Sequence, residues 1–259
     1  MLAELYAGSI EDAAQRQESV SLAQVEKAAL ANTPALDALS FLAPASNVKI
    51  LAEVKRASPS RGYMAEIPDP AELAKTYAEN GASAISVLTE GRKFKGTLAD
   101  LIAVRANVAV PLLRKDFIAT EYQILEARAA GADIILLIVA GLDQKTIVRL
   151  KKFTEELGML AFIETHDAGE LDRALEADGE MVGINARDLS TFQTDRNLFG
   201  TLADRIPAGV IKVAESAVRN ADDVAHYRAA GADVVLVGEA LVTNDPAAML
   251  KSFLAAGNV

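Results

Sequence analysis

The apolar residues of this chain gather in eight short runs. Seven of them break off at a polar or charged residue on the same side: Glu53 and Lys55, Thr89 and Glu90, Lys115, Glu164, Asn185, Glu215 with Ser216, and Gly238 with Glu239. The eighth, Ile134 to Val139, ends without one. Runs this short and this uniformly apolar predict strands covered on both faces, as in a parallel sheet flanked by helices. Their expected spans are 50–55, 84–89, 111–115, 134–139, 160–164, 181–185, 211–215 and 234–238. Helix signals fill the gaps. Asp69 reads as an N-cap with Pro70 at the first helical position. Residues 121–130 and 144–157 are helical in pattern as well.

A weak repeat organises these units. Gly81-Ala-Ser-Ala-Ile-Ser-Val-Leu, Gly131-Ala-Asp-Ile-Ile-Leu-Leu-Ile and Gly231-Ala-Asp-Val-Val-Leu-Val-Gly share one pattern, and Gly179-Glu-Met-Val falls near the missing beat. The period of about 50 residues equals two strand-helix units of a barrel. Each Gly reads as a helix C-cap before a buried strand. We therefore expect the α/β class: a (β/α)8 TIM barrel spanning residues 1–259 as one domain, with 1–47 as an N-terminal helical extension. Within that extension 4–17 and 22–31 look helical, and Asn32-Thr-Pro breaks the pattern.

In such a barrel every strand's C-terminal end meets at one rim, where the fold keeps its chemistry. Side chains two apart share a face. Leu51, Glu53 and Lys55, Leu113 and Lys115, Phe162 and Glu164, Gly183 and Asn185, and Val213 and Glu215 can therefore all face inward. Charges pointing into a barrel are costly unless paired or solvated. They form either an active site or a structural ion-pair network.

Composition narrows the options. The chain has no Cys, which excludes disulfides, Cys-ligated metals and thiol nucleophiles, and fits a reducing compartment. A formal charge of −10 argues against a nucleic-acid partner, while a small anion could still bind a locally basic pocket. No apolar run is long enough to span a bilayer. The N-terminus lacks a basic n-region and an apolar h-region, so a cytoplasmic location is expected.

The loops after the last two strands sit where many barrels hold a phosphate. Ser216 offers a hydroxyl, Gly238 allows close backbone approach, and the following helix N-termini offer N–H groups. His166 and His226 have no partner at metal-ligand spacing and read as surface residues, so no metal is expected. Lys49, Arg56 and Arg114 have the opposite parity or an outer position and read as solvated, helix-facing charges. Arg61, Lys93 and Lys95 lie in long rim loops, as substrate contacts or solubility charges, and Gly141 and Gly158 read as punctuation.

At this point the sequence resembles the indole-3-glycerol phosphate synthase family. The segments that carry the resemblance are Ile50-Leu-Ala-Glu-Val-Lys-Arg-Ala-Ser-Pro-Ser-Arg-Gly62, Ser86-Val-Leu-Thr-Glu90 with Phe94 and Gly96, Pro111-Leu-Leu-Arg-Lys-Asp-Phe-Ile118, Gly131-Ala-Asp-Ile-Ile-Leu-Leu-Ile138, Gly183-Ile-Asn-Ala-Arg-Asp-Leu189 and Val213-Ala-Glu-Ser216. The resemblance implies ring closure of 1-(2-carboxyphenylamino)-1-deoxyribulose 5-phosphate to indole-3-glycerol phosphate, with loss of carbon dioxide and water, in tryptophan biosynthesis. It implies Lys115 as general acid, Glu164 as base, Lys55 at the substrate carboxylate with a share of the acid duty, and Glu53 orienting Lys55 and joining the proton relay. Asn185, Glu215 and Arg187 would bind polar groups. Phe94 and Phe117 would wall the anthranilate ring. Ser58, Ser216, Ala217, Gly238 and Glu239 would hold the phosphate. No metal or organic cofactor is implied. The partner is the small-molecule substrate, with no nucleic acid and no membrane, and the expected state is a monomer or weak homodimer.

Two departures from the family pattern stand out. The phosphate loop reads Glu215-Ser216-Ala217 where the family usually has Glu-Ser-Gly, so Ala217 is strained if the turn needs a positive φ. The asparagine strand reads Ile-Asn-Ala-Arg in place of the frequent Ile-Asn-Asn-Arg. Among rivals, phosphoribosylanthranilate isomerases usually rely on a Cys base that this chain lacks, and tryptophan synthase α subunits lack the Glu-Val-Lys-Arg-Ala-Ser-Pro run. A non-catalytic, phosphometabolite-binding barrel would not require an acid facing a base. The basic cluster Lys55, Lys115 and Arg187 is expected to make the rim locally positive.

Overall fold

A computed structural model describes residues 1–188 and 191–258. Leu189, which closes one of the matching segments, lies outside the described residues. Eight parallel strands close into a TIM barrel: β1 (Lys49–Val54), β2 (Ala84–Leu88), β3 (Leu112–Lys115), β4 (Ile134–Ile138), β5 (Leu160–Thr165), β6 (Met181–Asn185), β7 (Ile211–Glu215) and β8 (Val234–Val237). The ring closes at β1, which pairs Lys49 with Val234 of β8 and Leu51 with Ala84 of β2. Every residue of β2, β4, β5, β6 and β8 is buried, the outcome expected of strands covered on both faces. Lys55, Thr89, Val139 and Gly238, expected as last strand residues, stand one position beyond the ladder.

Helices α1 (Leu2–Ser19), α2 (Leu22–Ala31) and α3 (Ala38–Leu42) precede the barrel. Around it lie α4 (Pro70–Glu79), α5 (Leu98–Arg105), α6 (Glu121–Ala129), α7 (Gln144–Glu156), α8 (Ala168–Glu176), α9 (Leu198–Leu202), α10 (Ala221–Ala229), α11 (Glu239–Val242) and α12 (Pro246–Ala256). Their starts follow from local chemistry. Asp69 accepts from the N–H groups of Ala71 and Glu72, ahead of Pro70. Thr97 with Asp100 and Thr120 with Gln123 form capping boxes on α5 and α6. Such caps contribute about 1 kcal/mol each. The repeated Gly131 and Gly231 take φ of 90° and 92° as the chain turns into the next strand. Near the missing beat the left-handed residue is Asp178 (φ 54°), one position before Gly179, a role that a short polar side chain tolerates.

The extension is fastened to the rim. Val25 and Ala29 of α2 pack on Tyr122 and Leu125 of α6. On α1, the Tyr6 hydroxyl donates to the Ile138 carbonyl (3.3 Å), Ser9 Oγ donates to Asp116 (3.0 Å) and Arg16 Nε meets Glu126 (2.5 Å). A methyl on Gly141 would collide with the Tyr6 ring, so this glycine seats α1 and is more than punctuation.

Arg114 corrects a second expectation. It is not solvated: its exposure is 1%. The outward face of β3 lies under α6, so the guanidinium is held by Asp116 (3.0 Å), Thr89 Oγ1 (3.0 Å), the Gln123 carbonyl (2.7 Å) and Glu126 (3.4 Å). Burying an ion costs several kcal/mol unless its partners are complete, which explains the size of this network. Among the described residues no helix is long and apolar enough to cross a membrane.

Candidate active site

The C-terminal strand ends surround a cavity of about 410 Å³. Lys115 stands at its centre. Its ammonium donates to Glu164 Oε2 from β5 (2.9 Å) and to Glu215 Oε2 from β7 (2.7 Å). Glu164 Oε1 accepts from Asn185 Nδ2 of β6 (3.0 Å). Asn185 Oδ1 in turn accepts from the Ser216 hydroxyl (2.7 Å) and the Arg187 N–H (3.0 Å). On the other side Lys55 Nζ lies 2.6 Å from Glu53 Oε1. A methyl on Gly238 would strike Glu53 Oε1 and come within 3.0 Å of Lys55 Nζ, so this glycine leaves room for that ion pair. Gly183 does the same for Glu215, whose Oε1 would lie 2.5 Å from a methyl there. The expected basic cluster is thus not bare, since both lysines have carboxylate partners.

These contacts fix the charge states. Burial opposes the charge on Lys115, but Glu164, Glu215 and Glu53 outweigh it and hold its pKa above the usual ammonium range. Glu164, also penalised by burial, is held well below the carboxylate range by Lys115 and by His166. Glu215 is pushed up, by burial first and then by the Glu164 charge. Among the described residues its Oε1 is buried without a hydrogen-bond partner, a tolerable state for a carboxylic acid and a costly one for an anion. The site therefore sets an ammonium donor beside two carboxyl groups whose surroundings push their proton affinities apart, the split that acid-base chemistry needs.

The rest of the lining divides by character. Phe94 and Phe117 form an aromatic wall with ring centroids 6.1 Å apart, and Tyr6 packs edge-on to Phe117 at 5.6 Å. Across the cavity stand Ser58, Ser216, Ala217, Gly238 and Glu239. Ser58 is carried by a small hairpin, Ala57–Ser58 with Gly62–Tyr63, which the sequence reading did not anticipate. Ser216 and Ala217 both have positive φ, 69° and 57°. The Glu239 carboxylate is 2.8 Å from Arg61 Nε, so an anion here would meet the backbone of Glu239 and the guanidinium of Arg61. The residues that the family resemblance singled out line this one cavity, as does Arg61, whereas the other two rim-loop candidates, Lys93 and Lys95, do not.

One participant was misjudged. His166 is no surface residue: its side chain is 11% exposed, and Nε2 lies 3.2 Å from Glu164 Oε1. It shares strand parity with Glu164, and Glu170 follows at helical spacing; that pairing was the signal available in the sequence.

Comparison with known proteins accords with this geometry. Residues 2–253 match the family model described as Indole-3-glycerol phosphate synthase. The chain is 62% identical to the indole-3-glycerol phosphate synthase of Leifsonia xyli over 253 residues, 98% of this chain and 97% of that one. It is 54% identical to the same-named protein of Mycobacteroides abscessus, over 95% of this chain and 90% of that one. The chain belongs to the indole-3-glycerol phosphate synthase family. Outside the family, 3-hexulose-6-phosphate synthase from Salmonella typhimurium superposes with a TM-score of 0.66 at 14% identity, covering 81% of this chain and 98% of that one. That likeness shows the barrel fold alone.

Proposed function

We propose that the protein closes the pyrrole ring of 1-(2-carboxyphenylamino)-1-deoxyribulose 5-phosphate, giving indole-3-glycerol phosphate, carbon dioxide and water. The observation that carries the assignment of roles is the Lys115 ammonium held between Glu164 and Glu215, with an aromatic wall on one side and the Ser216–Gly238 loops on the other. The anthranilate ring lies against Phe94 and Phe117, its carboxylate towards Lys55 and Arg187. The phosphate lies at Ser58, Ser216, Ala217, Gly238 and the backbone of Glu239.

Lys115 gives its proton to the ribulose carbonyl oxygen as the carboxylate-bearing ring carbon attacks, and the carbon-carbon bond forms. Loss of carbon dioxide returns the bonding electrons to the ring. The new hydroxyl then leaves as water, protonated by a lysine, while Glu164 removes a proton from the methylene carbon beside nitrogen. Lys55, poised by Glu53, shares the acid duty. Asn185 holds Glu164 in place, and Glu215 binds a substrate hydroxyl. General acid-base catalysis of this kind contributes about 10²–10⁴-fold per group. The cytoplasm is the setting this reading expects, supported by the absence of Cys. A monomer or weak homodimer of one barrel domain belongs to the same reading.

Incubation of the purified protein with the substrate tests it. Carbon dioxide and indole absorbance should appear in equal amounts, and Lys115→Met should abolish both while binding is nearly retained. No turnover by the wild type, or an active Lys115→Met enzyme, would overturn the reading.

A further inference from the structure

His166 has no part in the steps above and does not line the substrate cavity, yet its ring is held by one carboxylate and faces another. It follows Glu164 by two residues and precedes Asp167, the N-cap of α8. Glu170, in the first turn of α8, holds it twice. Oε2 of Glu170 accepts from the His166 backbone N–H at 2.8 Å and lies 2.9 Å from ring Nδ1. An ionised carboxylate only accepts, so Nδ1 carries hydrogen. The other nitrogen, Nε2, is shut off from solvent and makes no well-aligned hydrogen bond among the described residues. It faces Glu164 Oε1 at 3.2 Å. A neutral ring protonated on Nδ1 would turn a bare lone pair towards a carboxylate oxygen. Relief of that repulsion requires a proton between Nε2 and Glu164.

We propose that His166 is a positioning residue for Glu164: clamped as an imidazolium by Glu170, it keeps Glu164 a free carboxylate when Lys115 gives up its proton. The inference rests on Glu164 being the base. In the resting site Lys115, 2.9 Å away, is the strongest attraction on Glu164. After Lys115 has protonated the carbonyl oxygen it is a neutral amine, and that attraction is gone. Glu164 would then drift towards protonation just before it must accept the methylene proton. His166 remains charged at that moment because its counter-ion, Glu170, sits outside the cavity and takes no part in the proton transfers.

The charged groups facing the ring are Glu164 from β5 and Glu170 from α8. Behind Glu164 stand Lys115 from β3 and Glu215 from β7, with uncharged Asn185 from β6 and the Tyr6 phenol from α1. Burial opposes the imidazolium, but the two facing carboxylates outweigh it and raise its pKa to about 10.

Two measurements test the proposal on the intact enzyme. The chain has two histidines, so ring ¹⁵N NMR shows two imidazoles, and a His226→Asn variant identifies His166. We expect His166 to be doubly protonated at about pH 8, and Glu164→Gln to lower its titration midpoint by at least roughly one unit. A neutral His166 ring at that pH overturns the proposal. In kinetics, His166→Gln should lower kcat about tenfold or more with KM nearly unchanged, and the deficit should shrink as pH rises and restores the carboxylate. A deficit that ignores pH marks a merely structural role and overturns the proposal, as does no deficit. A Glu164→Gln enzyme at wild-type rate would instead remove the assignment of the base, while the wild-type spectrum still decides whether His166 is held charged.

Discussion

Ala217→Gly should make this protein more stable. Ala217, in the loop after β7, has φ 57° and follows Ser216 at φ 69°, so two residues with side chains sit consecutively in the left-handed region. That conformation costs an L-residue about 1–2 kcal/mol. Glycine escapes the cost but loses about 0.5–1 kcal/mol more backbone freedom on folding than alanine does. Ala217 is only partly buried, so little apolar contact leaves with its methyl. The balance favours glycine by about 0.5–1 kcal/mol, worth a rise in Tm of about 1–4 °C in a domain of this size. Ser216 is not an equivalent target, because its hydroxyl donates to Asn185 Oδ1 at 2.7 Å. Thermal unfolding followed by circular dichroism reads the change, and substrate KM measured beside it should move less than about twofold. An unchanged or lower Tm would refute the claim that Ala217 is strained.

Asp116→Asn should destabilise by about 3 kcal/mol, because it weakens the enclosure of a buried guanidinium; chemical denaturation checks this, and a loss under about 1 kcal/mol would contradict it. Gly183→Ala sets a methyl 2.5 Å from Glu215 Oε1 and 2.7 Å from the Phe162 ring. Overpacking should cost about 1–3 kcal/mol and push Glu215 off Lys115, so kcat should fall by more than KM rises; an unaltered kcat in steady-state assays would count against this. Folding raises His166 from an ordinary value of 6.5 to about 10, so its stabilising contribution is complete below pH 6.5 and is lost as pH climbs through about 10. Glu215, also raised, acts in the same direction above the ordinary carboxylate value. Wild-type Tm should therefore decline over that alkaline window, and His166→Gln should flatten the decline; a wild-type Tm that rises there would show the sign to be wrong.

The strands were legible because residues covered on both faces leave an uninterrupted apolar run, and the rim was legible because those runs end in charge. Parity then placed Glu53, Lys115, Glu164, Asn185 and Glu215 on one inner surface, where they line the cavity. Parity failed for Arg114. It gave the direction of the side chain correctly but could not show that α6 covers that face, nor that Glu126 of α6 joins Asp116, two positions further along, around the guanidinium. His166 was misread although Glu164 shares its strand parity and Glu170 follows at helical spacing: spacing shows which side chains can meet, not how deeply the ring is buried between them. The hairpin carrying Ser58 is two residues per strand, too short for any alternation to register. At Ala217 the sequence posed the question of a positive φ, and the backbone answers it at 57°.

The most direct test of the account is a fluorescence time course with 1-(2-carboxyphenylamino)-1-deoxyribulose 5-phosphate, wild type beside Glu164→Gln. The account predicts rapid growth of indole fluorescence in the wild type and a rate about 10²–10⁴-fold lower in the variant, which should still bind the substrate. A variant as fast as the wild type would contradict the role given to Glu164, and a silent wild type that binds the same compound would contradict the catalytic reading as a whole.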